Sequence, residues 1–332
     1  MFTRAISRSV RTAASNQTRG YKVVVVGGSG GIGQPMSLLM TNNKLVTEVA
    51  IYDMVGAPGV AADLSHCDAK AKVTGHGPDD IAGALKGADL VLVPAGLPRK
   101  PGMTRQDLFE KNATINATLA TAFAEHCPDA VAGIISNPVN STVPIWCETL
   151  NKAGKLDAKK IYGVCTLDHV RARKFLGDHA GVHPKDVHIS VIGGHAGASI
   201  LPILSGVTPK MTFTDSERDA LVDRIQNGGT EVVKAKDGAG SATLSMALAG
   251  AEFGDAILRA MAGEKGIYMA SYVQQDIAGA KYFATEVEFG PEGAYVNNKG
   301  LPDMDDYEKE GLTKAVEELN PSIEEGIAFC NK

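Results

Sequence analysis

The glycine-rich stretch at residues 21–40, YKVVVVGGSGGIGQPMSLLM, constrains this chain more than any other part of it. A run of β-branched residues leads into the glycines, and apolar residues at helical spacing, among them Met36 and Leu39, follow them. This order predicts a strand, a tight turn and a helix. The turn fits a G-x-G-x-x-G pattern, whose backbone can approach a pyrophosphate at the N-terminus of the helix. The residues of this predicted turn are Gly27, Gly28, Gly30, Gly31, Ile32 and Gly33.

A carboxylate follows at the distance that a dinucleotide-binding unit requires. A second apolar strand, 49–52, ends at Asp53, twenty residues after Gly33. An acid in this place hydrogen-bonds the ribose hydroxyls of a dinucleotide. Because the same carboxylate would repel a 2′-phosphate, the pattern predicts NAD rather than NADP. An aspartate that merely ends a strand is the alternative.

Length and composition predict a two-domain α/β protein. The chain has 332 residues, of which 44% are hydrophobic, so it can bury a large core. Strand and helix patterns alternate, which indicates a largely parallel sheet. Beyond residue 20 there are 29 basic residues against 38 acidic ones, which argues against nucleic acid as the main partner. No apolar run approaches the ~20 residues of a membrane span, so no membrane partner is expected.

The first twenty residues have the composition of a targeting segment. Arg4, Arg8, Arg11 and Arg19 lie among serines and apolar residues, and no acid is present. This composition is typical of a mitochondrial transit peptide and predicts the mitochondrial matrix. A basic tail on a cytosolic protein is the alternative. The five cysteines are scattered without a C-x-x-C pair, so we expect neither a disulfide framework nor a metal site.

Two further predicted strands end in polar residues. The strand 88–95 leads into the loop 96–105, GLPRKPGMTR, which carries Arg99 and Arg105 where open α/β sheets bind ligands. The strand 130–136 leads into Asn137, and the following proline disfavours a helix there. A solvated basic loop and a simple turn asparagine are the alternatives on these residues alone.

The second half of the chain offers a candidate for proton transfer. The strand 187–192 stops at GGHAG, where glycines leave the ring of His195 free to face a cavity. Asp168 and Arg171 lie three residues apart in a predicted helix, 167–180, and share one of its faces. A structural histidine and a surface ion pair remain the alternatives.

The rest of the second half predicts long helices and an antiparallel sheet. Helices are expected at 214–225, 241–261, 304–319 and 323–329, with the glycine-bearing segment 228–240 separating the first two. Strands are expected at 267–273, 282–289 and 294–296.

Taken together, these motifs resemble the lactate/malate dehydrogenase family, and within it the malate dehydrogenases of mitochondrial type, over residues 21–332. The motifs that carry the resemblance are GGSGGIGQP, VAADLSH, PAGLPRKPGMTR, IISNPVNSTVP, TLDHVRA, VIGGHAG and RIQNGGTEVVKAKDGAGSATLSMA. The resemblance implies a Rossmann-type doubly wound parallel sheet at 21–163, then an α+β catalytic domain at 164–332, with 1–20 as the transit peptide. It also implies NAD as the cofactor, a homodimer or higher homo-oligomer, and no metal. Gly28 and Cys165 stand where relatives often have alanine and threonine.

The resemblance also implies a role for each candidate residue in the oxidation of malate to oxaloacetate. His195 would accept the hydroxyl proton, and Asp168 would orient its imidazole. Arg171 would bind the carboxylate beside the reacting carbon, while Arg105 would polarise the carbonyl.

The remaining roles concern substrate choice and the cofactor. Arg99 would bind the far carboxylate of a four-carbon diacid, and Asn137 would hydrogen-bond both substrate and cofactor. Further cofactor contacts are implied for Asn112, for the backbone of Ile135 and Ser136, and for Met246, whose alternative is core packing.

Two other functions stay open at this point. A lactate or other 2-hydroxy-acid dehydrogenase could share the fold, but Arg99 would then bury an unpaired charge against a monoacid. A catalytically silent nucleotide-binding protein is opposed by the presence of every residue that the chemistry needs.

Overall fold

The glycine-rich stretch folds as predicted into a strand, a turn and a helix, and the other elements are arranged around it. The computed structural model describes residues 20–97 and 105–331. The first strand, β1 (Tyr21–Val26), is followed by α1 (Gly33–Thr41). None of the helices within the described residues is long and apolar enough to cross a membrane.

The first half of the chain forms the parallel part of the sheet. Its further strands are β2 (Val46–Tyr52), β3 (Lys72–His76), β4 (Leu90–Val93), β5 (Val131–Ile134) and β6 (Ile161–Val164). Its further helices are α2 (Ala57–Leu64), α3 (Ile81–Leu85), α4 (Arg105–His126) and α5 (Val139–Lys152). The strand order is β3-β2-β1-β4-β5-β6, and every pair is parallel. The order reverses between β1 and β4, which is where such sheets bind ligands.

The second half of the chain extends this sheet with antiparallel strands. Its strands are β7 (His188–Gly193), β8 (Ile200–Thr208), β9 (Tyr268–Ile277), β10 (Ala280–Phe289) and β11 (Tyr295–Val296). Its helices are α6 (Thr166–Ala180), α7 (Asp215–Ala235), α8 (Leu244–Met261) and α9 (Asp306–Cys330). Strand β9 pairs with β6, and β10, β7 and β8 continue the sheet in that order. The expected α/β fold, with a doubly wound parallel sheet followed by an α+β part, is confirmed.

The core lies on both faces of the parallel strands. Because successive side chains of a strand point to opposite faces, Val23 and Val25 of β1 join one buried cluster, while Val24 and Val26 join another. All four side chains are almost fully buried. This explains the continuous β-branched run in the sequence, since a strand covered on both faces has no polar side.

The predicted break between two helices at 228–240 was partly wrong. Helix α7 continues through Gly228 and Gly229. A glycine costs a helix about 1 kcal/mol relative to alanine, and the buried face of α7, which includes Leu221 and Ile225, outweighs that cost.

The predicted division of the last helix was also wrong, because α9 runs unbroken through Pro321. Leu319 and Ile323, on either side of the proline, are buried in the core. Gly326 packs so closely on α5 that an added Cβ would lie 2.4 Å from the carbonyl oxygen of Ser141. Tertiary packing therefore outweighs the one hydrogen bond that a proline removes.

Strand β8 was missed. Its sequence, ILPILSGVT, contains Pro202 and Gly206. Proline and glycine are rare in strands, so they interrupt the apolar pattern by which a strand is recognised.

Candidate active site

The glycine turn is built to let the backbone approach a ligand closely. It follows β1 at the switch point of the sheet, and Gly27 has a positive φ of 89°. At Gly33 an added Cβ would lie only 2.1 Å from the carbonyl oxygen of Gly27, so no side chain fits there. The turn thus leads directly into α1, whose N-terminal N–H groups can bind an anion.

Asp53 stands beside this turn at the end of β2. One of its carboxylate oxygens accepts a hydrogen bond from the backbone N–H of Ser29 at 2.9 Å, and the other accepts from that of Met54 at 2.7 Å. Asp53 is only partly buried, and an ionised carboxylate has about four acceptor positions, so two remain for ribose hydroxyls. The Ser29 hydroxyl is buried and has no hydrogen-bond partner among the described residues. These features fit a dinucleotide whose ribose carries free hydroxyls.

The predicted contacts after β4 and β5 lie at the same edge of the sheet. Ile135 and Ser136 are buried, and their backbone N–H groups both donate to the carbonyl of Val93. These two N–H groups are therefore already satisfied within the protein, whereas the Asn137 side chain that follows is exposed.

Asn112 ties the loops after these two strands together. Its Oδ1 accepts from the backbone N–H of Leu97 at 2.8 Å, and its Nδ2 donates to the carbonyl of Asn137 at 2.9 Å. The side chain is 2% exposed. Asn112 is thus placed to act on the site by fixing both loops.

Met246, on α8, is 4% exposed and belongs to the same apolar cluster as Ile135. This position favours the core-packing alternative for its side chain.

The structure brings together the two residues of the expected proton-transfer pair, which lie 27 positions apart in the sequence. Asp168 is in the first turn of α6, and His195 follows the end of β7. The imidazole Nδ1 lies 2.6 Å from a carboxylate oxygen of Asp168, whose side chain is 1% exposed. Because an ionised carboxylate only accepts hydrogen bonds, Nδ1 carries the proton and donates it. The other ring nitrogen, Nε2, is then the one available to a substrate.

A sharp corner of the backbone carries His195 to this position. Gly193 has a φ of 100°, and an added Cβ would lie 2.1 Å from the carbonyl oxygen of Ser199. Gly193 is therefore required by the turn itself.

Asn140 is a residue of the site that the sequence analysis missed. Its side-chain oxygen accepts the backbone N–H of His195 at 2.9 Å, and its amide donates to the Ser199 hydroxyl at 3.3 Å. Helix α5 begins at Val139, so Asn140 lies in its first turn, where its side chain reaches the histidine backbone. The motif NPVN, which contains Asn140, was the available signal.

Asp168 raises the pKa of the His195 imidazole. Burial alone would lower its pKa, but the charge of Asp168 and the hydrogen bond to it outweigh burial and raise the pKa well above the usual value. The contact with Asp168 therefore favours the protonated, proton-donating form of the ring.

Arg171 lies beside the pair. Its Nη1 is 3.9 Å from the Asp168 oxygen that does not contact the histidine. An added Cβ on Gly228 would lie 2.9 Å from the Cδ of Arg171, so the glycine in α7 leaves room for the arginine side chain. Arg99 lies outside the described residues, as does the side chain of Arg105, whose backbone begins α4.

Cys165 completes the surroundings of the pair. It precedes α6 and is 2% exposed. Its sulfur, a carboxylate oxygen of Asp168 and an imidazole nitrogen of His195 all lie within 4.8 Å of one another.

The combination of dinucleotide turn, buried acid–histidine pair and neighbouring arginine defines a class of protein. A dehydrogenase needs a cofactor to exchange a hydride and a residue to exchange a proton, and this fold carries groups suited to both. The class is the NAD-dependent oxidoreductases.

Comparison with known proteins narrows the class. Residues 21–163 match the model described as lactate/malate dehydrogenase, NAD binding domain, and residues 165–330 match lactate/malate dehydrogenase, alpha/beta C-terminal domain. The chain therefore belongs to the lactate/malate dehydrogenase family.

Individual relatives in the family are similar over nearly their whole length. A glyoxysomal malate dehydrogenase of Oryza sativa subsp. japonica is 50% identical over 98% of this chain and 91% of its own. The mitochondrial malate dehydrogenase of Homo sapiens is 49% identical over 98% and 95%. The crystal structure of a malate dehydrogenase from Cryptosporidium parvum superposes with a TM-score of 0.78 at 28% identity, covering 93% of this chain and 99% of that one.

The raised pKa of His195 gives a prediction for the free protein. We expect the imidazole to stay protonated through neutral pH, and Asp168→Asn to lower its pKa to near or below the usual ~6.5, because the carboxylate charge is lost. Titration of the imidazole signals by NMR would measure both values.

The raised pKa of His195 also determines how the stability of the folded protein changes with pH. A raised folded-state pKa stabilises the protein fully below pH ~6.5, and this contribution is lost as the pH rises through the folded-state pKa. A pKa of His195 that does not change in Asp168→Asn would contradict the assigned pairing.

Proposed function

We propose that this protein is a malate dehydrogenase that interconverts malate and oxaloacetate with NAD, a step of the tricarboxylic acid cycle. The observation that carries the proposal is the buried 2.6 Å contact between His195 and Asp168, with Arg171 beside it. About half of all positions are identical to malate dehydrogenases over nearly the whole chain, which supports the substrate.

His195 serves as the proton acceptor when malate is oxidised. Bound NAD supplies the acceptor for the hydride. Because the raised pKa favours the protonated ring, Nε2 first releases its proton to solvent. It then takes the hydroxyl proton, and the resulting imidazolium is stabilised by the Asp168 side chain. In the reverse direction the imidazolium of the free protein is already in the state that donates a proton to oxaloacetate.

Each of the three arginines binds a different group of the substrate: one of its two carboxylates or its carbonyl. Arg171 binds the carboxylate next to the reacting carbon, since a guanidinium can make two parallel hydrogen bonds to it. Arg105 polarises the carbonyl and Arg99 binds the far carboxylate, roles that the family resemblance implies. Asn137, exposed at the sheet edge, hydrogen-bonds both substrate and cofactor.

The cofactor is bound by the first half of the chain. We assign the pyrophosphate to the glycine turn, the adenosine ribose to Asp53, and the backbone after β5 to the nicotinamide side. We accordingly divide the chain into a cofactor-binding domain at 21–163 and a catalytic domain at 164–332, which carries His195 and Asp168.

Residues 1–20 are proposed to be a transit peptide that directs the protein to the mitochondrial matrix. Their arginine-rich, acid-free composition supports this destination. The relatives are named both for mitochondria and for glyoxysomes, so the organelle is assigned from this segment of the chain rather than from them.

The first test is the oxidation of NADH by protein lacking residues 1–20, with oxaloacetate and with pyruvate. We expect rapid turnover of oxaloacetate and little of pyruvate. Arg99→Gln should lower kcat/KM for oxaloacetate by ~100-fold or more, because a buried carboxylate loses its charged partner, and should change pyruvate turnover much less. Equal losses on both substrates would contradict the role of Arg99, and NADH binding without turnover of either substrate would contradict the enzyme.

A second prediction concerns the space that α7 leaves for Arg171. Gly228→Ala should displace the guanidinium and raise KM for oxaloacetate ~10-fold or more, since an added Cβ would lie 2.9 Å from the Arg171 Cδ. Gly229→Ala is the matched control, because its Cβ would be 3.9 Å from Nη1, an ordinary contact. Steady-state kinetics would separate the two, and an unchanged KM in Gly228→Ala would count against a substrate role for Arg171.

We also propose that two copies of this chain associate through the face formed by α1, α2 and α8. Leu38 on α1 is 42% exposed and Leu248 on α8 is 46% exposed, although both are large apolar side chains. A cavity of about 470 Å³ lined partly by Leu38, Val60 and Leu64 opens between α1 and α2. Exposed apolar surface of this kind is typical of interfaces.

Leu38→Glu should convert the dimer to a monomer, because it would bury a charge without a partner at the centre of that face. Sedimentation equilibrium measures the mass directly. Val296→Glu, at a site that is 52% exposed on β11, is the control and should leave the mass unchanged. A monomeric wild-type protein would overturn the proposal.

A further inference from the structure

We propose that Cys165, Asp168 and His195 form a binding site for a soft divalent cation of the Zn²⁺ type, and that its occupation inhibits the enzyme. The three residues lie on two elements that meet at the active site: Cys165 and Asp168 at the start of α6, and His195 after β7. One ligand atom from each lies within 4.8 Å of the other two.

The ligand set is suited to Zn²⁺. Thiolate, imidazole and carboxylate are the groups that this ion binds, at ~2.0 to 2.3 Å, which sets tetrahedral ligands roughly 3.5 Å apart. If Nδ1 is the ligand, its 2.6 Å separation from Asp168 must therefore lengthen by about 1 Å. Soft thiolate ligation disfavours Mg²⁺ and Ca²⁺, which prefer oxygen.

The charges of the two anionic ligands also offset those of such an ion. Once the thiol and imidazole protons leave, the thiolate and carboxylate carry two negative charges against the two positive charges of the metal. Cys165 and Asp168 are 2% and 1% exposed, so a cation that offsets their two charges lowers the cost of burying them. Arg171, at 3.9 Å from Asp168, keeps its own positive charge beside the cluster.

Two further observations point to a ligand at this place. The Asp168 oxygen that does not face the histidine is buried and makes no hydrogen bond among the described residues, with Arg171 Nη1 at 3.9 Å. It can thus accept a metal without losing a hydrogen bond. The His195 side chain keeps 11% exposure, so a water molecule can supply the fourth ligand from the cleft.

Occupation must block the proposed reaction whichever imidazole nitrogen binds the ion. Ligation through Nε2 removes the proton acceptor. Ligation through Nδ1 replaces the 2.6 Å hydrogen bond to Asp168, since both atoms cannot bind one metal at that separation. The cysteine makes this chain sensitive, because a threonine in its place offers no soft ligand.

The test uses two readouts, inhibition by Zn²⁺ and thiolate-to-metal absorption on addition of Co²⁺. For wild type we expect reversible loss of oxaloacetate reduction, restored by EDTA, and a thiolate–cobalt charge-transfer band. Cys165→Thr should keep the basal turnover, need at least tenfold more Zn²⁺ for half inhibition and show no such band. Cys67→Ser, which alters a half-buried cysteine elsewhere, is the matched control and should behave as wild type. Mg²⁺ at the same concentration should not inhibit.

Equal Zn²⁺ sensitivity in Cys165→Thr, or a Co²⁺ band that persists in it, would overturn the proposal. If that variant does not fold, Cys165→Ser replaces it, and His195→Asn provides an independent check by binding Co²⁺ at least tenfold more weakly than wild type. The inference about inhibition rests on the proposed function, but the Co²⁺ band does not. A band without turnover would contradict only the malate dehydrogenase proposal, and turnover without a band would contradict only the metal site.

Discussion

The hydrogen bond between His195 and Asp168 is the interaction on which the site depends. A carboxylate that is 1% exposed is costly unless charged or polar partners compensate it. Here the imidazolium supplies one partner at 2.6 Å and Arg171 a second at 3.9 Å. Asp168 also lies in the first turn of α6, where the helix dipole favours a negative charge. The cost of burying the acid is thereby offset by the same groups that the proposed chemistry uses.

The first half of the chain also positions His195, the proposed proton-transfer residue in the second half. Asn140, in the first turn of α5, accepts the backbone N–H of His195, and the Tyr272 hydroxyl donates to the Asn140 carbonyl. Asn112 links the loops after β4 and β5 in a similar way. The backbone of His195 is thus anchored to the first half of the chain by an amide side chain.

The sequence alone predicted the elements whose signal is local, and it failed where contacts distant in sequence decide. The glycine turn and its acid, Asp53, were readable because spacing along one chain segment determines them. The pairing of Asp168 with His195 was not, since residues 27 apart meet only through the fold, and the family resemblance supplied it. Gly228 was misread as the end of a helix. A glycine is needed there because the Arg171 side chain packs against it, and this contact is not visible in the sequence. Asn140 was missed because a turn asparagine gives no sign of its partner.

The pairing of β6 with β9 makes the whole sheet one continuous ladder of backbone hydrogen bonds. Gly163 and Val164 lie opposite Tyr272 and Ser271, at the point where the parallel part meets the antiparallel part. Enzymes with a hinged cleft open by moving two domains apart as rigid bodies. The two halves of this chain cannot do so without breaking this ladder. Adaptation to a ligand is therefore left to loops and side chains.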